Sequence, residues 1–287
     1  MNILISGATG FIGKSVVESL SKKNNLFLVS RKTLKSSTSN INYLSYNDSD
    51  GFLNIDSRNI KKIDIVLHLA THFVSKHTDE DLPKLMNANL LLGIRLLELC
   101  TELNCKRFIN ISSFAQSCDG TTSSPQNLYA ASKESFLTYL RFYSSNKKIS
   151  VLNLEFFDSY GPNDKRGKFF DLALNAFLNK DEFKMSEGNQ EICLIHINDI
   201  ISAIKVSIDI LKNNSGIHNF TLLNDSSKYK LKDLVLLLNT TLNSKSEIVF
   251  GHYPYRNNEI FKLKSRYSPL PGWSPEINLV DVVKKLI

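Results

Sequence analysis

The sequence predicts an α/β fold: a doubly wound parallel sheet with a smaller, interleaved C-terminal lobe. Three observations carry this prediction. Apolar segments of strand length recur through the first half of the chain, a helical pattern follows most of them, and the first one ends in a glycine-rich turn. Strands that alternate with helices form β–α–β units, in which the strands are parallel and buried on both faces. With 287 residues, 42% of them apolar, the chain can bury a sizeable core around such a sheet.

The apolar runs set the expected elements of this half. One strand begins at Ile3, and a helix follows from about Lys14. Leucines recur on one helical face between residues 82 and 103, and a second long helix is expected over 128–143. The other five strands are expected at Leu26–Ser30, Ile41–Tyr46, Ile63–Ala70, Arg107–Ser113 and Ser150–Phe157.

The pattern is looser after residue 160. A short strand is expected at Ile192–Ile197, followed by a helix to Lys212 that Asn198 and Asp199 would cap. Shorter helices are expected at about 230–241 and 277–286. We therefore expect a larger domain and a smaller lobe threaded with late strands of the sheet. The larger domain would comprise residues 1–160 and 190–218, and the lobe residues 161–189 and 219–287.

The turn after the first strand, Gly-Ala-Thr-Gly-Phe-Ile-Gly, carries the first functional signal. Its glycines are Gly7, Gly10 and Gly13. Glycine lets a backbone approach a ligand closely, and the free N–H groups at the start of the next helix favour an anion such as a pyrophosphate. An ordinary tight turn explains this spacing poorly, because glycine lowers stability wherever its freedom is not needed. The turn predicts a dinucleotide site, which would lie in the larger domain.

Composition narrows the class of protein. The net charge is +7, but the lysines and arginines are scattered, so no nucleic-acid partner is predicted. The four cysteines have neither disulfide nor zinc spacing, and no metal site is predicted. No apolar run reaches the roughly 18–20 residues of a membrane helix, and the start of the chain lacks the pattern of a signal peptide. We therefore expect a cytoplasmic protein without a membrane partner.

Tyr129 and Lys133 form a candidate acid–base pair. A spacing of four places both on one face of a helix. A free phenol, with a pKa of about 10, is a poor acid–base group near neutrality. A neighbouring ammonium favours the phenolate and would lower that pKa. Alone, the pair also fits a solvated helix face; its position after the glycine-rich turn and the strand ending Ile111-Ser-Ser favours a site.

The turn and this pair resemble the extended short-chain dehydrogenase/reductase family, the NAD-dependent epimerases and dehydratases of nucleotide sugars. The resemblance implies a Rossmann domain in which Tyr129 and Lys133 lie beside the nicotinamide. It implies that Ser113, rather than Ser112, hydrogen-bonds the sugar carbonyl. The implied catalytic residues are Ser113, Tyr129 and Lys133, and the implied cofactor-binding residues are Gly7, Gly10, Phe11, Ile12, Gly13, Leu69, Ala70, Tyr129, Lys133 and Phe156.

Arg31 and Lys32 end the second strand. An acidic residue at this place would bind the ribose hydroxyl of NAD, whereas basic residues accommodate the 2′-phosphate of NADP. We therefore expect both residues to bind NADP(H), with NAD(H) as the alternative cofactor. A plain solvent-exposed loop is the other interpretation of this basic pair.

The resemblance also implies substrate contacts, although this chain departs from the family there. Asp158 stands where the family usually has Asn, and Arg256 matches an Arg that binds the substrate diphosphate. A second diphosphate Arg is usual, but Ile192 occupies its place, and Lys168 would compensate. The implied substrate-binding residues are His72, Ser113, Asp158, Lys168 and Arg256; a surface role is the alternative for His72 and Lys168.

The residues after Ser113 narrow the set of reactions that the family resemblance allows. Dehydratases of the family carry an Asp-Glu pair there, and this chain has Phe114 and Ala115. The 3,5-epimerase/reductases carry a Cys and a His where this chain has Ala115 and Asn163. A 4-ketoreductase or a 4-epimerase remains. Arg31 and the end pattern, with Arg256-Asn-Asn-Glu and Gly272-Trp-Ser-Pro, favour reductases of the CDP-abequose synthase type.

The resulting expectation is NADPH-dependent reduction of the 4-keto group of a nucleotide-linked 4-keto-6-deoxy sugar, in the biosynthesis of surface polysaccharide or glycoconjugates. The alternatives are an NDP-sugar 4-epimerase and a non-catalytic NADP-binding regulator. The expected partner is a nucleotide-diphosphate sugar. The family resemblance also implies a homodimer formed through the helices near 82–103 and 128–143.

Overall fold

The computed structural model describes residues 1–31, 38–46, 60 and 62–286. Within these ranges the chain forms eight α-helices and thirteen β-strands. The helices are α1 (Phe11–Ser21), α2 (Asp81–Met86), α3 (Leu92–Glu102), α4 (Leu128–Lys147), α5 (Phe169–Asn179), α6 (Ile197–Asn213), α7 (Leu231–Thr241) and α8 (Leu279–Lys284). The strands are β1 (Asn2–Ser6), β2 (Asn25–Ser30), β3 (Ile41–Ser45), β4 (Ile65–His68), β5 (Arg107–Ser113), β6 (Ser150–Phe156), β7 (Asp158–Tyr160), β8 (Phe183–Lys184), β9 (Glu191–His196), β10 (Ile217–Thr221), β11 (Lys228–Lys230), β12 (Ile248–Val249) and β13 (Ser268–Pro269).

The central sheet has eight strands in the order β13-β10-β6-β5-β4-β1-β2-β3, and every neighbouring pair is parallel. The predicted doubly wound α/β fold is therefore confirmed. The chain moves outward from β1 to β3 on one side, then returns to start again at β4 on the other. In open parallel sheets the ligand crevice lies at this reversal, outside the carboxyl ends of the strands.

Alternate side chains of the buried strands pack into two separate core layers, one on each face of the sheet. In β1, Ile3 and Ile5 pack into the layer covered by α1 and α6, whereas Leu4 packs into the layer covered by α3 and α4. All three side chains are at most 1% exposed. A strand with apolar residues on both faces reads as a continuous apolar run, which is why these strands were visible in the sequence. Each buried aliphatic side chain contributes about 1.5–3 kcal/mol to folding.

A smaller lobe lies beyond the carboxyl ends of the sheet. Its three-stranded sheet has the order β11-β9-β7, and α5, α7 and α8 enclose a third core with Phe177 and Leu234. β9 pairs with lobe strands, whereas α6, which follows it directly, covers the central sheet. Late in the chain, β13 returns to the central sheet beside β10.

The predicted cap of α6 is wrong. The helix begins at Ile197, and its N-cap is His196, whose ring nitrogen accepts the Asn198 N–H at 3.2 Å. Asp199 is buried and instead accepts the backbone N–H groups of Glu276 and Ile277 at 3.0 and 3.2 Å. A carboxylate so near a helix start serves equally well as a cap or as an anchor for a distant segment, and local sequence does not separate the two.

The helical region predicted over 82–103 contains an irregularity. Between α2 and α3 the residues Asn87–Leu91 form a π-helical turn. Such turns are rare and are frequent at functional sites. Here the turn carries the buried Asn89. In the part of the chain that the structure describes, no helix is long and apolar enough to cross a membrane.

Candidate active site

A cleft of about 1830 Å³ opens at the carboxyl ends of the central strands, between the sheet and the smaller lobe. Lys32 lies outside the described residues. All other predicted site residues line this one cleft, namely Gly7, Gly10, Phe11, Ile12, Gly13, Arg31, Leu69, Ala70, His72, Ser113, Tyr129, Lys133, Phe156, Asp158, Lys168 and Arg256. Their convergence is a structural fact, whereas the role of each residue stays a prediction.

The glycine-rich turn is packed too closely for side chains. A Cβ atom on Gly13 would lie 2.1 Å from the Gly7 carbonyl oxygen, and one on Gly7 would lie 2.6 Å from the Ala70 nitrogen. Gly7 also has a left-handed backbone, with φ of +76°. These two glycines let β1, the turn and the residues after β4 meet, so that the start of α1 faces the cleft.

Gly10 differs from its two neighbours. It is the N-cap of α1, has an ordinary extended backbone, and no side chain caps the helix there. A Cβ on Gly10 would meet only the Gly7 oxygen, at 3.3 Å. The uncapped N–H groups of α1 therefore face a cleft that has room for an anion, which fits a dinucleotide pyrophosphate. Arg31, at the end of β2, is exposed on the same cleft.

Tyr129 lies in the cleft wall on the first turn of α4, where Asn127 caps the helix by accepting the Ala130 N–H at 2.9 Å. Its side chain is 8% exposed. Burial raises the pKa of Tyr129, hydrogen bonds with Thr71 and Ser113 lower it, Asp158 raises it further, and the net shift is upward. Ser113, predicted to bind the sugar carbonyl, lines the same cleft as Tyr129, and its role stays a prediction. Thr71 was missed, although it directly follows the predicted cofactor-lining Ala70.

Lys133 lies one turn further along α4 and is 4% exposed. Its ammonium donates to the Ile111 carbonyl oxygen at 2.7 Å, and burial lowers its pKa to about 8. The expectation that Lys133 lowers the pKa of Tyr129 is wrong for this arrangement. Desolvation of the phenol dominates, and the ammonium is directed at the strand β5 instead.

Asn89, on the π-helical turn, fixes the loop that carries Thr71. Its amide oxygen accepts from the Thr71 hydroxyl at 2.9 Å and from the His72 N–H at 2.8 Å. Its amide nitrogen donates to the His72 carbonyl at 3.1 Å and to the Ser132 hydroxyl at 2.9 Å. Both ends of the amide are thus used, and the loop after β4 is tied to α4 beside Tyr129.

The substrate-side residues form pairs of their own. Lys168 and Asp158 are joined by an ion pair of 3.0 Å, and both are partly exposed. The exposed ring of Phe73 lies edge-on to Tyr129, with 5.0 Å between ring centroids. Arg256 is exposed on the lobe side of the cleft. His72 lies 3.3 Å from Asp81, at the cleft rim.

Arg166 is a cleft residue that the sequence analysis missed. It forms an ion pair with Asp164 and donates to the Ser159 carbonyl and hydroxyl at 3.0 and 2.9 Å. Its guanidinium lies 4.3 Å from the centre of the Phe11 ring. The segment after β7 thereby contacts the glycine-rich turn. No local pattern marks Arg166, because its partners become neighbours only in the fold.

Among the residues that the structure describes, no three His, Cys, Asp or Glu side chains cluster as a metal site would require. His68, a residue of β4, is buried, and its ring lies 2.7 Å from the Ser6 hydroxyl. Burial, together with Lys133, lowers its pKa to about 3, so it stays neutral.

A doubly wound sheet, whose first turn packs Gly7 and Gly13 too closely for side chains and lies beside the helix of Tyr129 and Lys133, is a Rossmann-type fold. The chain belongs to the NAD dependent epimerase/dehydratase family, whose sequence profile matches residues 3–219. The family resemblance noted in the sequence is thereby confirmed.

Individual relatives agree with this membership. The CDP-abequose synthase of Yersinia pseudotuberculosis is 29% identical over 272 residues, which cover 93% of this chain and 93% of that protein. The UDP-N-acetylglucosamine 4-epimerase from Methanobrevibacter ruminantium, solved in complex with UDP-N-acetylmuramic acid, superposes with a TM-score of 0.80 at 19% identity, over 99% of this chain and 96% of that one. The UDP-glucose 4-epimerase of Thermus thermophilus, solved with NAD, gives a TM-score of 0.78 at 19% identity, over 99% and 97%. At this identity the two solved structures show a shared fold.

Proposed function

We propose that this protein reduces the 4-keto group of a nucleotide-linked 4-keto-6-deoxy sugar with NADPH. The observation that carries the proposal is that Ser113, Tyr129 and Lys133 line the same cleft as the glycine-rich turn. The CDP-abequose synthase relative, matched over nearly its whole length, supports a nucleotide sugar as substrate. A role in the biosynthesis of surface polysaccharide or glycoconjugates follows from such a substrate.

The cradle of Gly7, Gly10 and Gly13 and the uncapped start of α1 would hold the pyrophosphate of the cofactor. Arg31 would pair with its 2′-phosphate, and Lys133 would bind the nicotinamide ribose. When bound, NADPH supplies the hydride for the carbonyl carbon. The NAD-bound relative supports a dinucleotide at this place, and Arg31 is the reason to favour the phosphorylated form.

The chain's own groups would handle the carbonyl oxygen. The Ser113 and Tyr129 hydroxyls would donate hydrogen bonds to it, and Tyr129 would give up its proton as negative charge develops there. Burial, which raises the pKa of Tyr129, keeps the phenol protonated at neutral pH. A protonated phenol suits reduction, because the group must begin the reaction as an acid.

Lys168 and Arg256 are proposed to bind the substrate diphosphate, with His72 and Asp158 at the sugar. Phe114 and Ala115 directly follow Ser113 and cannot replace the acid pair that elimination of water needs. Hydride transfer without elimination therefore remains. We also propose that the protein acts in the cytoplasm as a homodimer.

The experiment is a screen of the purified protein against nucleotide-linked 4-keto-6-deoxy sugars on several bases, followed by NADPH absorbance and product analysis. Net NADPH consumption with a reduced sugar supports the proposal. Interconversion of sugars without net consumption identifies a 4-epimerase, and cofactor binding without turnover of any sugar identifies a non-catalytic regulator. Tyr129→Phe is the matched control: we expect it to reduce turnover by about 10²–10⁴-fold while cofactor binding persists.

A further inference from the structure

We infer that Gln116, Glu134 and Arg266 position Ser113 for the carbonyl reduction, an inference that rests on the proposed function. Ser113 is the last residue of β5, and a short helical turn follows it. Its backbone N–H donates to the side-chain oxygen of Gln116 at 2.8 Å, and its hydroxyl oxygen accepts the Ala115 N–H at 3.4 Å. Both contacts hold Ser113 at the cleft, which it lines.

Gln116 can hold Ser113 only if its amide has one particular orientation. Its side chain is 1% exposed, and its amide nitrogen donates to Glu134 at 2.8 Å. An ionised carboxylate only accepts hydrogen bonds, so it must face the NH₂ end of the amide. The oxygen end is then directed at the Ser113 N–H. Glu134 therefore determines which way Gln116 presents itself to Ser113.

Arg266 keeps Glu134 in its ionised form. The two side chains form an ion pair, each 15% exposed. Burial raises the pKa of Glu134, but hydrogen bonds from Arg266 and Gln116 outweigh that effect, and the net shift is downward. Arg266 only donates hydrogen bonds and cannot lose its proton. It therefore determines which groups donate and which accept along the chain of hydrogen bonds that leads to Ser113.

The position of these residues gives the chain of contacts a function beyond capping. Glu134 directly follows Lys133 on α4, and Arg266 belongs to the segment that runs from the cleft residue Leu263 to β13. Three separate parts of the fold therefore meet behind Ser113. Capping alone requires only the hydrogen bond between Gln116 and the Ser113 backbone. The ion pair of Glu134 with Arg266 additionally fixes the orientation of the Gln116 amide.

A double-mutant cycle tests this inference. We expect Gln116→Leu to lower kcat by about tenfold or more through displacement of the Ser113 hydroxyl. In a Ser113→Ala background the same substitution should lower kcat no further. The KM for NADPH should hardly change in either background. An equal loss of kcat in both backgrounds, or no loss in the wild-type background, would overturn the inference.

Arg266→Met supplies the same cycle from the far end and covers the case in which Gln116→Leu fails to fold. The matched control is Ser207→Ala, which removes a buried hydrogen bond to the Ala203 carbonyl at 2.8 Å on α6 and touches none of Ser113, Gln116, Glu134 and Arg266. This control should leave kcat intact. If it lowers kcat as much as Gln116→Leu does, general loosening of the fold explains the effect and the inference is wrong.

A second readout does not depend on activity. The ¹³Cζ resonance of Tyr129, assigned by its loss in Tyr129→Phe, reports the surroundings of the phenol, to which Ser113 contributes. Gln116→Leu and Arg266→Met should shift it in the same direction as Ser113→Ala, and an unmoved resonance would refute the positioning role. A wild-type protein that reduces no ketosugar would instead refute the proposed function, whatever the resonance shows.

Discussion

At the residue scale, burial acts on Tyr129 and Lys133 in the same physical sense and with opposite effects on their pKa values. Removal from water penalises the charged form of each group. The pKa of Tyr129 is raised, and the pKa of Lys133 is lowered to about 8. The phenol thus keeps its proton across the neutral range, while the ammonium is close to losing its own. Tyr129 is therefore already in the protonated form that the proposed reduction requires of its proton donor.

The lowered pKa of Lys133 makes it a destabilising residue. Its pKa falls from 10.5 in the unfolded chain to about 8, so the folded state holds its proton less well. We expect Lys133→Met to increase the free energy of unfolding at pH 7 by on the order of 2–3 kcal/mol, offset in part by the lost bond to Ile111. The same variant should lose turnover.

The sign of the pH dependence follows from proton counts. Between about pH 8 and 10.5 the unfolded chain holds a proton on Lys133 that the folded chain has released, so the stability of the wild type rises with pH in this window. The advantage of Lys133→Met should therefore shrink there. Denaturant titrations of both proteins at several pH values measure it, and a variant less stable than wild type at pH 7 would contradict the argument.

We expect Arg31 to determine whether the protein prefers NADPH or NADH. It is exposed at the end of β2 and lines the cleft. A charge-assisted contact with a phosphate is worth about 1.5–3 kcal/mol. Arg31→Ala should therefore lower kcat/KM for NADPH by roughly tenfold to a hundredfold and leave kcat/KM for NADH nearly unchanged. Arg31→Lys is the matched variant and should lose less; equal losses with both cofactors would show that Arg31 does not contact the 2′-phosphate.

At the element scale, Gly10 and Gly13 in the turn between β1 and α1 require glycine for different physical reasons. A Cβ on Gly13 would overlap the Gly7 oxygen at 2.1 Å, whereas one on Gly10 has room except for that oxygen at 3.3 Å. We expect Gly13→Ala to lower Tm clearly. Gly10→Ala should keep Tm near the wild-type value and weaken NADPH binding, because its methyl group would project beside the bound pyrophosphate. Calorimetry of unfolding and cofactor titration separate the two effects, and similar behaviour of both variants would contradict this division.

The strands and most helices could be predicted because their signals are local. β1 is apolar on both faces, and the glycines that follow it punctuate the sequence. Tyr129 and Lys133 were recognisable because a spacing of four survives folding as a shared helix face. The convergence of the candidate site residues followed from topology, since parallel strands end at one edge of the sheet.

The contacts that could not be predicted join residues far apart in sequence. Gln116 reaches Glu134, and Arg266 reaches the same carboxylate across 132 positions. The π-helical turn at Asn87–Leu91 could not be predicted either, because its apolar residues fit an ordinary α-helix just as well. In each case a tertiary hydrogen bond decides the geometry, and no periodicity records it.

At the scale of the whole molecule, the end of the chain returns to the central sheet and to α6. β13 pairs with β10, and the Trp273 indole donates to the Asp199 carbonyl at 3.0 Å and to the Ser202 hydroxyl at 2.9 Å. Arg256 and Leu263 line the cleft and precede these anchors in the chain. The position of the lobe over the sheet is therefore tied down at the C-terminal end of the chain.

The exposed apolar side chains of α4 and α2 bear on the proposed homodimer. The outer face of α4 exposes Tyr139 and Phe142 at 41% and 52%. On nearby α2, Leu82 and Met86 are 40% and 38% exposed. Large apolar side chains grouped on one helical face lose contact with water when a second copy covers them, and aromatic residues contribute most to such interfaces. The proposed pairing through these helices would thus bury groups that the single chain leaves exposed.

Substitution of the two aromatic residues tests the pairing. We expect the wild-type protein to behave as a dimer in light scattering coupled to size-exclusion chromatography, and Tyr139→Glu with Phe142→Arg to give a monomer. Both side chains point away from the core, so the monomer should keep its fold by circular dichroism. Leu236→Arg on α7, where the side chain is 47% exposed, is the matched control and should stay dimeric. A monomeric wild type, or a dimer that survives the double substitution, would refute pairing through α4.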